Sequence, residues 1–229
     1  MGKTKLFLLY HNEDISEYSH PDIIPLKLIQ TPYFESEAFR MLTDLPDAEN
    51  IGFLTPSAKN KIKYFSIEKI LELDPDPITF LLPIVKKIEK DSILFHGIKF
   101  VNLWKYILDS HSISHSVMNT YIGGYSNLWV AKREFVAEYL KFARRTMFLL
   151  DISPMPIQNI LFSDSMYHGK LINTGILDKR FGFNHYPWHP FLLERLISLF
   201  AKIKNVDKYK YLGNNEKQLK FISGKFRLL

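Results

Sequence analysis

Lys5-Leu-Phe-Leu-Leu-Tyr10, followed at once by His11-Asn12-Glu13-Asp14, is the stretch on which the fold turns. A short, unbroken apolar run closed by a polar cluster reads as a buried first strand. In an open α/β sheet, ligands bind outside the carboxyl ends of the strands. Tyr10 and His11 therefore fall where a nucleotide base or ribose would rest, although an ordinary strand-to-loop transition has the same appearance.

Working outward, Ile23–Ile29 reads as a second strand whose Pro25 suits an edge position. Glu35–Leu42 is helical in pattern. Asn50–Thr55 reads as a third strand, followed by Pro56, Ser57 and a basic helix carrying Lys59, Lys61 and Lys63. A hydroxyl (Thr55, Ser57) with Lys61 one turn later can grip a diphosphate, while solvated helix lysines are the competing reading. Ser66 is placed to cap a helix through Leu73. Asp74-Pro-Asp-Pro77 then precedes a strand over Ile78–Leu82. Asp74 and Asp76 are paired hard-oxygen donors of the kind that suit Mg²⁺ or Mn²⁺. A metal-binding Asp-x-Asp is expected after its strand, however, and the tetrapeptide is also a good turn.

Phe100–Leu108 is amphipathic, with Trp104 on its core side. Ser116–Ile122 reads as a strand, Gly123-Gly124 as a turn, and Tyr125–Ala131 as a short strand running into a long helix from Arg133 to about Leu149. Pro154 and Pro156 are read as the break after it. Asp164 stands between the hydrophobic Ile157–Phe162 and a loop ending at Gly169, a position suited to a general base or to capping the next turn. The alternation of strands and helices indicates a single three-layer α/β/α domain around a mixed, mostly parallel sheet.

His185-Tyr-Pro-Trp-His-Pro-Phe-Leu-Leu-Glu-Arg-Leu-Ile-Ser-Leu-Phe200 closes that domain. Pro190 is read as the first helical residue, with His189 just outside it. Helix N-termini favour anions, so His189 at the mouth and Arg195 further in define a candidate phosphate-facing site. Glu194 is a second candidate base, and Glu194 with Arg195 is equally readable as a structural pair. Tyr167, Tyr186 and Trp188 are read as exposed rings able to stack on sugars.

Composition narrows the classes. With 46% hydrophobic and 14% aromatic residues in 229, the chain is a folded domain and not a disordered one. No apolar run approaches the ~18 residues of a membrane span, and the N-terminal apolar stretch is too short for a signal peptide. The chain has no cysteine, which excludes disulfides and thiolate metal sites and suits a reducing compartment; a cytoplasmic location is expected. Eight Lys/Arg (202, 204, 208, 210, 217, 220, 225 and 227) stand against Asp207 and Glu216 at the C-terminal end. They account for the whole net charge of +6. Residues 1–201 are thus read as a neutral domain and 202–229 as a basic tail, which argues against a nucleic-acid partner.

Several segments together resemble one family. Leu9-Tyr-His-Asn12, Glu35-Ser-Glu-x-Phe-Arg40, Ile51-Gly-x-Leu-Thr-x-Ser57 with Lys61, Ser126-Asn-Leu-Trp-Val-Ala-Lys132 and His189-Pro-Phe-Leu-Leu-Glu-Arg-Leu196 resemble the small GT-A-type glycosyltransferase domains of large DNA viruses, such as the chlorella-virus capsid glycosyltransferase, and related bacterial polysaccharide-synthesis proteins. The resemblance runs from about Lys5 to Phe200. It implies transfer of a sugar from a nucleotide-diphosphate donor, a UDP-sugar first among them, to a hydroxyl of a glycan or glycoprotein. It further implies Tyr10 and His11 at the nucleotide, with Thr55, Ser57, Lys61 and His189 at the nucleotide and phosphates; on the transfer hypothesis Arg195 joins Lys61 and His189 at the leaving group. Asp164 or Glu194 would serve as base, and Mn²⁺ or Mg²⁺ would be the cofactor. If the resemblance extends to a viral origin, the location is the host cytoplasm. A non-catalytic carbohydrate- or nucleotide-binding module is the alternative.

Overall fold

The structure, a computed structural model, describes residues 3–62, 65–82, 86–119, 121–122, 124, 126–165, 184–206, 208–212, 219–222 and 225–228. Its strands are β1 (Thr4–Tyr10), β2 (Ile23–Lys27), β3 (Asn50–Leu54), β4 (Ile78–Phe80), β5 (Lys86–Lys87), β6 (Tyr121–Ile122), β7 (Trp129–Lys132), β8 (Lys208–Tyr211), β9 (Leu219–Ile222) and β10 (Lys225–Leu228). Its helices are α1 (Ala38–Met41), α2 (Ala58–Lys61), α3 (Ile67–Leu71), α4 (Ile88–His96), α5 (Ile98–Ser110), α6 (Arg133–Asp151), α7 (Met155–Leu161) and α8 (His189–Ile203).

β1 is flanked by β2 and β3, both parallel to it. β7 runs antiparallel between β3 and β4, so β4 points the same way as β1. The sheet order is β2-β1-β3-β7-β4-β8-β9-β10. The sheet is mixed: β1, β2, β3, β4, β8 and β10 run in one direction, and β7 and β9 run against them. Only β1–β2, β1–β3 and β4–β8 pair in parallel among the described residues; the ladders through β7 and β9 are antiparallel. The segment read as a basic tail is part of this sheet: α8 runs through Ile203, and β8 pairs with β4.

The apolar run of β1 serves two cores because successive side chains of a strand point to opposite faces. Phe7 and Leu9 join Ile51, Phe53, Ile78, Phe80, Trp129 and Ala131 under α5, α6 and α8. Leu6 and Leu8 join Leu54 and Val130 under Tyr18, Ala58, Ile62 and Ile70 of the shorter segments on the other face. Helical material thus covers both faces, the three-layer arrangement expected. Phe53 carries the first core: its ring lies 4.6 Å from Trp129, 5.6 Å from Phe7 and 5.7 Å from Phe39. Such offset and edge contacts add to area burial. Gly52 sits between β1 and β7, where a Cβ would come within 2.6 Å of Leu6 Cδ2 and 2.8 Å of Val130 Cγ2. A side chain there would have to push those two aside.

Local signals held where a side chain enforces them. Ser66 caps α3, its hydroxyl accepting from the Lys69 N–H at 3.2 Å. Pro25 lies on an edge strand, and Trp104 is buried. Other expectations shifted. The helical pattern of 35–42 divides into a 3-10 turn, Phe34–Glu37, and α1. The expected strand over 116–122 is a 3-10 turn, His115–Asn119, followed by the two-residue β6. The prolines after α6 do not keep the chain irregular: Pro154 precedes α7 and Pro156 lies in its first turn, where a missing N–H costs nothing.

Candidate functional site

The carboxyl ends of β1 and β3 lie side by side, since Leu8 pairs with Leu54 in parallel register. Tyr10–His11 and Thr55–Ser57 therefore emerge together at one edge of the sheet. Each is locally braced. Tyr10 accepts the Leu28 N–H at 2.8 Å. His11 is buried and gives its backbone N–H to Glu13 Oε2 at 2.8 Å. Thr55 Oγ1 and Ser57 Oγ share a hydrogen bond of 2.9 Å.

Lys61, at the end of α2, points across this edge and donates to Ser126 Oγ at 3.1 Å. Ser126 and Asn127 both adopt positive φ, 63° and 51°, a conformation that costs non-glycine residues energy and that asparagine tolerates best. Asn127 Nδ2 anchors the corner by donating to buried Ser36 Oγ at 3.2 Å. The strained corner before β7, the turn after β2 and the end of α2 are thereby held against one another.

Glu194 of α8 completes the group. It is partly buried, and burial pushes its carboxyl up to about 7, with Arg195 and Lys61 pulling it down and Glu35 raising it. A carboxyl near neutrality that feels the charges of Arg195, Glu35 and Lys61, the last at the edge where β1 and β3 end, is the most chemically distinctive feature among the described residues. Glu35, Ser36, Ser126 and Asn127 are residues to which the sequence reading gave no role. The Ser-Asn dipeptide after Gly123-Gly124 was the available signal, because both mark tight backbone turns.

The remaining expected residues lie elsewhere or differently. His189 is the first residue of α8 and not the residue outside it. It is buried with its ring edge-on to Tyr33 at 4.9 Å and Phe162 at 4.8 Å, and its pKa is lowered to about 3, first by burial and then by Arg40. Arg195 is buried too: it donates to its own helix at Phe191 O, 2.8 Å, and lies 5.4 Å from the Phe100 ring. Trp188, expected to be exposed, is buried on Phe100 at 5.5 Å and donates to Ser163 Oγ at 3.1 Å. Tyr186 is half-buried against Phe34 and Phe191. Lys63 and Tyr167 lie outside the described residues. Asp164 is exposed just beyond α7, where the neighbouring Ser165 N–H donates to Tyr186 O at 3.0 Å.

Asp74 and Asp76 do not join this group. Both precede β4, at the amino edge of the parallel strands. Asp74 is exposed and paired with Lys132 at 2.8 Å and Lys3 at 3.3 Å; these lysines draw its carboxyl below the usual range. The two carboxylates thus stand at the end of the sheet opposite Lys61, so they would not reach an Mg²⁺ or Mn²⁺ held beside that lysine. No group of three or more His, Asp or Glu suited to a metal occurs among the described residues. No helix among them is long and apolar enough to cross a membrane.

Comparison of the chain with protein-family models, curated proteins and solved structures yields no match.

Proposed function

We propose that this protein is a glycosyltransferase of GT-A type that moves a sugar from a nucleotide-diphosphate donor, a UDP-sugar first among candidates, to a hydroxyl of a glycan or glycoprotein. The observation that carries this reading is a half-buried carboxyl, Glu194, raised toward neutrality by burial and within electrostatic reach of Lys61 at the carboxyl edge of β1 and β3. A base works best when its pKa lies near the working pH, and Glu194 is held there by burial. In the transfer step the acceptor hydroxyl gives its proton to the carboxylate of Glu194 while its oxygen forms a bond to the anomeric carbon. The bond from that carbon to the diphosphate oxygen breaks, and the electron pair leaves with the nucleoside diphosphate. Lys61 supplies positive charge where negative charge develops. Tyr10 and His11 line the place of the base and ribose, with Thr55 and Ser57 beside the phosphates. Asp164, exposed at the end of α7, is the second base candidate. Its Asn variant, if folded, separates the two assignments.

The test is a thermal-shift series over UDP-, GDP-, CMP- and dTDP-sugars, with and without Mn²⁺, followed by assay of nucleoside diphosphate release. A ligand that binds only the native state raises its stability, by about 2.7 kcal/mol at a hundredfold excess over Kd. Stabilisation by one nucleotide class with acceptor-dependent release supports the transferase. Stabilisation without release makes the protein a binding module.

A further inference from the structure

We propose that the carboxyl-terminal end of α6, with α7, is a docking surface for the face of a bilayer containing anionic phospholipid. This rests on neither the transferase reading nor the site at Glu194.

One exposed stripe of α6, at spacings of four and three residues, reads Glu134, Glu138, Lys141, Arg145, Phe148, Ile152. Residues so spaced share a helix face. The stripe is graded along the axis: acids first, then cations, then apolar side chains. Phe148 is 58% and Ile152 60% exposed, and beyond them Met155 and Phe162 of the α7 region are 71% and 45% exposed. Pro154 and Pro156 are exposed beside Met155. Large apolar side chains gathered at one tip of a fold mark a surface that meets something apolar.

The charge order identifies that something. At 1.5 Å per residue, Arg145 lies about 10 Å behind Ile152 and Glu138 about 20 Å behind it. With the apolar tip inserted about 5–10 Å at the boundary of headgroups and acyl chains, Arg145 comes level with the headgroups. Lys141, about 16 Å behind Ile152, stands just above them within a Debye length of the charged surface, and the acids stay further out in water. The charges are apportioned accordingly. Glu138 is already paired with Lys204, whereas neither Lys141 nor Arg145 forms an ion pair among the described residues. Asp151, the one acid within the tip of α6, is bound by Arg40 and by the Tyr33 hydroxyl. Asp164, two residues past Phe162, is a further exposed acid among the described residues.

The tip has a defined place in the fold. β7 ends beside the start of β3, so α6 begins at the amino edge of the parallel strands, where Arg133 N–H donates to Glu49 O at 2.9 Å. The far end of α6 meets Tyr33 and Arg40, which follow β2. The apolar tip therefore lies at the same end of the molecule as Tyr10, Lys61 and Glu194.

Vesicle flotation tests the proposal on the whole chain, using phosphatidylcholine alone and phosphatidylcholine mixed with phosphatidylserine. The wild-type protein is expected to float with the mixed vesicles, less with phosphatidylcholine alone, and less as salt is raised. Each cation at an anionic surface is worth about fivefold in binding, so Lys141→Glu with Arg145→Glu should weaken it about thirtyfold or more. Phe148→Ser with Ile152→Ser should abolish flotation at unchanged melting temperature. Met155→Ser replaces that pair if it fails to fold, and should weaken flotation by itself. A wild-type protein that stays below the mixed vesicles overturns the proposal, as does binding that none of these variants alters. A wild-type dimer in ultracentrifugation that the serine variant renders monomeric, with no flotation by either, overturns it too and assigns the face to a second copy of the chain.

Discussion

Lys61 Nζ stands 3.1 Å from Ser126 Oγ, joining the end of the helix that follows β3 to the left-handed corner that precedes β7. The contact holds a cation at the sheet edge with a neutral partner, and among the described residues no acid pairs with it at hydrogen-bond distance. Lys61→Met should weaken binding of a nucleoside diphosphate about tenfold or more, the range for loss of a hydrogen bond to a charged group. Titration calorimetry measures it, and because Lys61 is exposed the melting temperature should hardly move.

His189 makes folding sensitive to acid. Its pKa falls from 6.5 to about 3 on folding, so below pH 6.5 the unfolded chain binds a proton that the folded chain refuses. The stability it permits is complete above 6.5 and is lost progressively as pH drops toward 3. His189→Phe keeps a ring between Tyr33 and Phe162 and removes the titration. Denaturant midpoints taken between pH 7 and 4 should fall less steeply for this variant than for the wild type.

Gly52→Ala tests the close packing of the sheet. Its Cβ would overlap Leu6 and Val130 in the two adjacent strands, and overpacking of this kind costs about 1–3 kcal/mol. Urea denaturation should show a lower midpoint at an unchanged slope.

Asp74→Asn with Asp76→Asn should leave nucleotide-sugar binding as it is in the wild type, with and without Mn²⁺. Asp74 is engaged by Lys3 and Lys132 at the far edge of the sheet. A Mn²⁺-dependent loss of donor affinity in this variant would falsify that placement.

What the sequence disclosed follows from how local each cause is. β1 and β3 were legible because both faces are buried, leaving continuous apolar runs. Ser66 was legible because its partner is three residues away. The 3-10 turn at Phe34–Glu37 was not, since its geometry is set by packing against α8 and by the Thr31 hydroxyl donating to Glu37. Lys208, Lys210, Lys220, Lys225 and Arg227 make β8, β9 and β10 read as a solvated tail, and only pairing with β4 makes the first of them a strand. Tyr10, His11, Thr55, Ser57 and Lys61 lie at one edge of the sheet, as their places after strands implied. His189 and Arg195 looked accessible because helix position gives no measure of burial. The relation of Glu194 to Lys61 and Glu35 is created by the fold and has no counterpart in local spacing.

The central claim is that Glu194 accepts the acceptor's proton at the edge where Lys61 waits. Burial raises its pKa above the unfolded value of 4.5, so the folded chain holds this proton more tightly. The group therefore costs stability as pH rises through this window, a cost fully present above about 7. On the proposed reading, the same deprotonation would make Glu194 available as a base over that range. The deciding measurement is acceptor-dependent release of nucleoside diphosphate from a UDP-sugar, as a function of pH, by the wild type and by Glu194→Gln. The expected result is a wild-type kcat/KM that climbs through about pH 7 and a folded variant slower by about 10²–10⁴-fold, the usual contribution of a positioned base. A folded Glu194→Gln protein that releases nucleoside diphosphate at the wild-type rate, with the same pH profile, would contradict the account.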